Sequence, residues 1–265
     1  MLGKLIKYES RACGRIFVPM WAVSVGTSLL VLVVGSIIKA FAPGAGGTVD
    51  AIIDMISAFL VIGLVLLGVV TVVVRFYQNL ISDEGYLSFT LPVTAAQHIV
   101  AKLLTGLLFL AGTALAVFLS QLITNFDGTT GVLNGLFSQL GRVQDGWLFF
   151  SLVLLFLLVA VVDTICKLYA SMVAGSQFGR HRIVGSVVSY YLAGVMESIV
   201  MLVIGLPVFL PWINDLAQVN SQLAEGVLRP FTFLMLGVLT LFMALFSATY
   251  FFVSRWLLTK RLNLQ

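Results

Sequence analysis

Six long apolar stretches, separated by shorter polar ones, run along the chain at approximately 16–38, 52–74, 99–122, 147–166, 184–210 and 232–254. Each reaches the about 20 residues that a helix needs to cross a hydrocarbon core of about 30 Å. Leu, Val, Ile and Phe fall all round the helical wheel with Gly, Ala and Ser between them, so helical periodicity is weak. That is expected where a helix meets lipid on one face and an apolar neighbour on the other. Length rather than period therefore predicts the helices. The first run follows a basic N-terminus and precedes Ala40-Phe41-Ala42, which together mimic a signal peptide and its cleavage site. It is longer than the about 7–15 residues of a signal h-region, so a retained span is expected.

Composition narrows the class. Apolar residues make up 60% of the 265 and charged residues 10%, with 20 Phe, against about 45–50% and about 25% in a soluble domain. A soluble globular domain, disorder, collagen and coiled coil are all excluded, and the expected class is an all-α membrane protein of six transmembrane helices. The formal charge of +4 does not imply nucleic-acid binding. What matters is where the basic residues fall. With the N-terminus in the cytosol, Lys4, Lys7, Arg11, Arg15, Arg75, Lys102, Lys167, Arg180, Arg182, Arg255, Lys260 and Arg261 lie inside. Only Lys39, Arg142 and Arg229 lie outside, with Asp50, Asp127, Asp145, Asp215 and Glu225. The positive-inside bias thus predicts both termini cytosolic, in agreement with an even number of spans. Cys13 and Cys166 then face a reducing compartment and are expected to be free. His98 and His181 share no metal-ligand spacing with them, so no metal site is expected.

Between the spans, 123–146 and 211–231 are too short for a folded domain and predict short re-entrant or interfacial helices, with Trp147 and Trp212 as interface anchors. Residues 1–15 place Lys4, Lys7, Arg11 and Arg15 on one helical face and Leu2, Leu5, Ile6 and Cys13 on another. An amphipathic helix on the inner membrane surface is expected, either anchoring the first span or also docking a partner protein. The connection 167–185 reads as a basic turn whose Arg180-His181-Arg182 meets anionic headgroups. The tail 255–265 is too short to fold alone.

The second connection, 75–102, is long and polar-aromatic where a hairpin would need neither property. Ser82-Asp83-Glu84 can cap a helix, Leu91-Pro92 forces an extended residue, and Thr94 with Gln97 forms a capping box that opens the third span. A short helix is expected between two breaks. Its Tyr86, Leu87 and Phe89 would form an exposed apolar patch of the kind that marks a protein contact, or else lie in the headgroup layer.

Two carboxylates, Asp163 and Glu197, call for an explanation within the apolar runs, where a carboxylate costs about 2.5–3.5 kcal/mol at a helix centre. Asp163 precedes Lys167 by one turn, so local neutralisation is expected. Glu197 has no such neighbour, and either lines a pathway or hydrogen-bonds another helix. Pro207 and Pro211 should end or kink the fifth helix. There is no Walker A sequence, no nucleophile with a nearby His, no HExxH and no paired-carboxylate protease motif. The chain is not expected to be an enzyme by itself.

Asp83-Glu84-Gly85-Tyr86-Leu87, then Leu91-Pro92-Val93-Thr94, then Ile99 and Lys102, resemble the acidic-Gly-x-Leu, Pro-Val-Ser/Thr and terminal Lys pattern of one family. It comprises the six-span transmembrane subunits of bacterial ATP-binding-cassette exporters, the type V or second permease class. The resemblance covers the whole chain, although Gly85 and Pro92 lie closer together than in many members. It implies a single transmembrane domain over 1–265: an interfacial helix at 1–15, a six-span bundle at 16–254, a cytosolic coupling segment at 75–98 and a tail at 255–265. It further implies a multi-pass protein of the bacterial plasma membrane, forming a dimer with a second copy or a sister permease and joined to two ATPase subunits. ATP and Mg would be bound by those subunits, and no cofactor by this chain. Ser82, Asp83, Glu84, Gly85, Tyr86, Leu87, Phe89 and Pro92, together with the helix bearing Lys4, Lys7, Arg11 and Arg15, would touch the ATPase. Spans two and five would line the translocation path, with Glu197 as a lining residue, for an amphipathic peptide, lipid or drug-like substrate. An ion- or proton-coupled secondary transporter using Glu197 and Asp163 is the alternative, although no inverted repeat is visible. A non-transporting scaffold or immunity protein is a third reading.

Overall fold

A computed structural model describes residues 2–42, 44, 46–80, 93–142, 145–218 and 224–260. They form seven α-helices: α1 Leu2–Phe41, α2 Gly46–Leu80, α3 Ala95–Thr124, α4 Phe126–Arg142, α5 Gly146–Gly175, α6 Arg182–Gln218 and α7 Ala224–Lys260, with a 3₁₀ turn Ser176–His181 between α5 and α6. All but α4 are long and apolar enough to cross a membrane, and each contains one of the six apolar runs. This is an all-α, multi-pass membrane protein.

Four boundaries differ from the sequence expectation. The surface helix over 1–15 and the first span are one continuous helix, α1. Its buried residues Cys13, Phe17, Ser24, Ser28 and Gly35 recur at intervals of four and seven, so one packing stripe runs straight through the expected break. At about 1.5 Å per residue such a helix is about 60 Å long, about twice the thickness of a hydrocarbon core. Its first turns, where Lys4, Lys7, Arg11 and Arg15 are all exposed, therefore project beyond the core. Similarly α5 continues to Gly175, which shortens the expected basic turn to Ser176–His181. Pro207 and Pro211 lie inside α6 instead of ending it; membrane helices tolerate proline because neighbouring groups can satisfy the freed carbonyls. Consequently no separate short helix occupies the described part of 211–231, whereas the 17-residue α4 does occupy 123–146.

The helices gather into two compact units, Met1–Arg75 with Val100–Arg142, and Phe76–Ile99 with Val143–Gln265. In the first unit, Lys39 and Asp50 pair across the α1–α2 turn, and Gly35 lets α2 approach: a Cβ there would fall 2.5 Å from Ile53 Cδ1. Phe17, Trp21 and Phe109 form a ring cluster with centroids 5.0–6.0 Å apart. Trp21 lies over Gly112 and donates through Nε1 to Thr113 Oγ1 at 3.1 Å, and the Ser24 and Ser120 hydroxyls are hydrogen-bonded at 3.1 Å. In the second unit Phe76 stacks on the buried Tyr169, with ring centroids 3.8 Å apart. There α5 meets α6 at Gly175, where a Cβ would lie 2.4 Å from the Ser186 backbone nitrogen.

Polarity is distributed inside out. Ser24, Ser28, Ser57, Lys102, Thr105, Thr113, Ser120, Asp163, Ser171 and Ser254 are buried, while Leu30, Phe59, Leu66, Leu108, Tyr191 and Leu202 are exposed. Lipid favours this arrangement, because apolar side chains lose nothing by facing acyl chains while the buried hydroxyls bond carbonyls of their own helix or, as Ser24 and Ser120 do, one another between helices.

Candidate functional site

Two clusters of largely buried charged side chains form between helices, one in each unit. In the second unit, Lys167 of α5 is bonded to Glu197 Oε2 of α6 and lies 3.8 Å from Asp163 Oδ2 on its own helix. Tyr250 of α7 donates to Glu197 Oε1 at 2.8 Å. Three helices thus converge on Glu197, whose two oxygens are each occupied. Glu197 thus bonds to other helices, the second of its two expected roles, and Lys167 lies near Asp163 as expected while its closer partner is Glu197. Asp163 lies well inside its helix, since α5 continues for about three more turns to Gly175. Asp163 is 2% exposed, and its Oδ1 has no hydrogen-bond partner among the described residues.

Beside this cluster, α6 borders an open cleft of about 480 Å³, lined by Tyr190, Tyr191, Gly194, Val195, Ser198, Ile199 and Leu202 and reached by Lys167. The Lys167 ammonium stands 5.9 Å from the centroid of the Tyr190 ring, at the outer reach of a cation–π contact. The Tyr190 and Tyr191 rings meet edge to face, with centroids 6.1 Å apart. The cleft is apolar and aromatic, and its one charged wall is an ammonium backed by two carboxylates.

The first unit holds the other cluster. Glu9 of α1 receives Lys102 Nζ of α3 at 3.0 Å and lies 3.6 Å from Arg75 Nε of α2. All three side chains are at least four-fifths buried. Sequence reasoning passed over Glu9, yet it is the only acidic residue before Asp50, and it lies one turn from Cys13 on the packing stripe, opposite the basic one. Arg75 and Lys102 both count in the sequence as inner-surface charges, Lys102 also as the terminal Lys of the family pattern; both are largely buried against Glu9. Arg75 precedes and Lys102 follows the connection that the sequence marks as most informative, so one carboxylate ties α1 to both of its stems.

At the end of that connection the expected capping box is present. The Thr94 backbone N–H donates to Gln97 Oε1 at 3.1 Å, and the Gln97 N–H donates to Thr94 Oγ1 at 3.4 Å, one residue before α3 begins. The other candidates there, Ser82, Asp83, Glu84, Gly85, Tyr86, Leu87, Phe89 and Pro92, lie outside the described residues. Cys13 and Cys166 are buried and free. Among the described residues, no three His, Cys, Asp or Glu side chains gather in a way that would hold a metal ion.

Comparison with family models, curated proteins and solved structures found no match. Function has to be read from the residues themselves.

Proposed function

We propose that this chain is the permease subunit of an ATP-driven exporter, working in the bacterial plasma membrane as a dimer with a second copy or a sister permease. Separate ATPase subunits would bind ATP and Mg. The observation that carries this reading is the 82–102 pattern, Asp-Glu-Gly-Tyr-Leu to Leu-Pro-Val-Thr to Lys102. Two features favour it: α3 starts at the capping box that the pattern requires, and Glu9 links both stems of the segment to a helix whose basic stripe is exposed. Six spans then leave both termini in the cytosol, with Lys4, Lys7, Arg11 and Arg15 free to meet a partner or anionic lipid.

Coupling in this scheme is mechanical. Closure of the ATPase pair displaces residues 82–92, the stems at Arg75 and Lys102 carry the movement to α1 through Glu9, and the spans change tilt. Nucleotide thereby shifts the population between inward-open and outward-open states. The test is to purify the tagged chain in mild detergent from its own host and quantify co-purifying proteins by mass spectrometry. A P-loop ATPase at one copy per permease is the expected result. An intact dimer with no such partner overturns it.

The Asp163–Lys167–Glu197 cluster favours a second reading, an ion- or proton-coupled transporter, because intramembrane carboxylates commonly mark ion pathways. Transport driven by a proton gradient without nucleotide, and abolished by Glu197→Gln, would establish it.

A further inference from the structure

Two carboxylates share one ammonium at the α5–α6–α7 cluster, and the buried Oδ1 of Asp163 has no hydrogen-bond partner among the described residues. A buried carboxylate oxygen in that condition is costly, and the cost falls when a cation is supplied. The cleft beside the cluster offers a route for one. It is apolar along α6, carries two tyrosine rings at the end where Lys167 stands, and its volume of about 480 Å³ falls within the about 300–1,000 Å³ of small-molecule sites.

We propose that the cleft and the cluster together bind a monovalent cationic amphiphile, its primary ammonium or guanidinium head at Glu197 and its apolar body along Gly194, Val195, Ser198, Ile199 and Leu202. The exchange leaves no charge unpaired. The head takes the Glu197 Oε2 position that Lys167 holds in the unliganded chain, while Tyr250 stays on Oε1. Lys167, already 3.8 Å from Asp163, moves onto that carboxylate and supplies its bare oxygen. Two carboxylates then face two cations, and the faces of Tyr190 and Tyr191 add cation–π attraction. An anionic amphiphile would meet Lys167 only by stripping it from Glu197, leaving two carboxylates with no cation. As a substrate site this rests on the transport reading above, but as a binding site it is tested without nucleotide, ATPase or gradient.

The experiment measures retention of radiolabelled dodecylammonium by the full-length chain in phosphatidylcholine nanodiscs, with empty nanodiscs subtracted. One saturable site per chain is expected, with the label displaced by dodecylguanidinium but not by dodecanoate or dodecanol. Gly194→Leu should fill the cleft without strain, since a Cβ there meets nothing within 4 Å, and should weaken binding at least tenfold while leaving the ion cluster in place. Asp163→Asn should weaken it at least tenfold because Lys167 loses its second carboxylate. Retention no greater than in empty nanodiscs, displacement by dodecanoate or dodecanol as effective as by dodecylguanidinium, or binding within twofold of the parent in both variants would overturn the proposal. A P-loop ATPase that still co-purified would then leave the permease reading standing without this substrate class.

Discussion

Replacing Lys167 with Met removes the only cation that Asp163 and Glu197 share among the described residues while keeping most of the side-chain volume. The Lys167, Asp163 and Glu197 side chains are 13%, 3% and 16% exposed, so neither carboxylate can recover its hydration where it stands. Removing one partner of a buried ion pair costs about 3–5 kcal/mol. Glu197 keeps the Tyr250 hydrogen bond on Oε1, which places the expected loss near the lower end, about 3 kcal/mol. At about 2–4 °C per kcal/mol for chains of comparable size, the midpoint of thermal unfolding should fall by about 6–12 °C. The decisive comparison is the triple variant Lys167→Met, Asp163→Asn, Glu197→Gln. It removes all three charges, and replacing a whole buried ionic group with neutral residues is often close to neutral. Unfolding followed by circular dichroism in mixed micelles should therefore rank the triple variant well above the single one. A triple variant as unstable as Lys167→Met would show that the loss comes from packing and not from stranded charge. A single variant within about 1 kcal/mol of the parent would show that the lysine is not bearing the cluster's charge.

Glu9→Gln should remove the carboxylate that Lys102 and Arg75 share and loosen the first turns of α1, read as faster amide hydrogen exchange over residues 2–15. If the chain works as the proposed permease, the variant should also lower transport per ATP hydrolysed, and unchanged exchange and coupling would sink the linkage. Glu84 and Tyr86, as expected ATPase contacts, should uncouple hydrolysis from transport when replaced while the detergent-solubilised chain still elutes as a single folded peak; normal coupling in both variants would remove the docking assignment. Gly175→Ala drives a Cβ within 2.6 Å of Ser186 backbone atoms, which cannot swing aside as a side-chain tip can. It should sharply reduce folded yield, whereas Gly194→Ala, with no neighbour within 4 Å, should leave yield unchanged. Lys39→Ala removes an ion pair whose side chains are 41% and 59% exposed, so it should change stability by under about 1 kcal/mol.

The six spans were legible because a membrane tests a helix on one property, the length of its apolar run, and that property is local in sequence. Helix ends were less legible for the same reason. Residues 2–15 look like a surface helix when judged by their own amphipathicity, yet the stripe Cys13, Phe17, Ser24, Ser28 and Gly35 ties them to the span that follows. The stretch 167–175 looks like part of a turn because Lys167 is charged, yet Lys167 is satisfied inside the bundle and the helix has no reason to stop there. The capping box at Thr94 and Gln97 succeeded where these failed, since a cap is made by residues three apart and needs no tertiary partner.

Charge was read in one of its two roles only. Counting Arg75, Lys102 and Lys167 toward the inner surface treats every lysine and arginine as a solvated marker of orientation, while the fold spends these three on Glu9 and on the Asp163–Glu197 pair. The sequence did contain a warning: Lys102 falls inside an apolar run, and Glu9 is a lone acid on an otherwise basic helix. A cation within an apolar run requires a distant partner, because it cannot stay ionised in lipid alone, and an acid on the helix face opposite the basic stripe points to a partner on another helix. What the sequence could not supply was the pairing, since Asp163, Glu197 and Glu9 were all available acids and only the packing of α1 on α2 and α3, and of α5 on α6 and α7, assigns them. The expected orientation does not depend on those three residues. With those three withdrawn, nine basic residues remain on the expected inner side against three on the outer side, and four of the nine lie on the exposed face of the first four turns of α1.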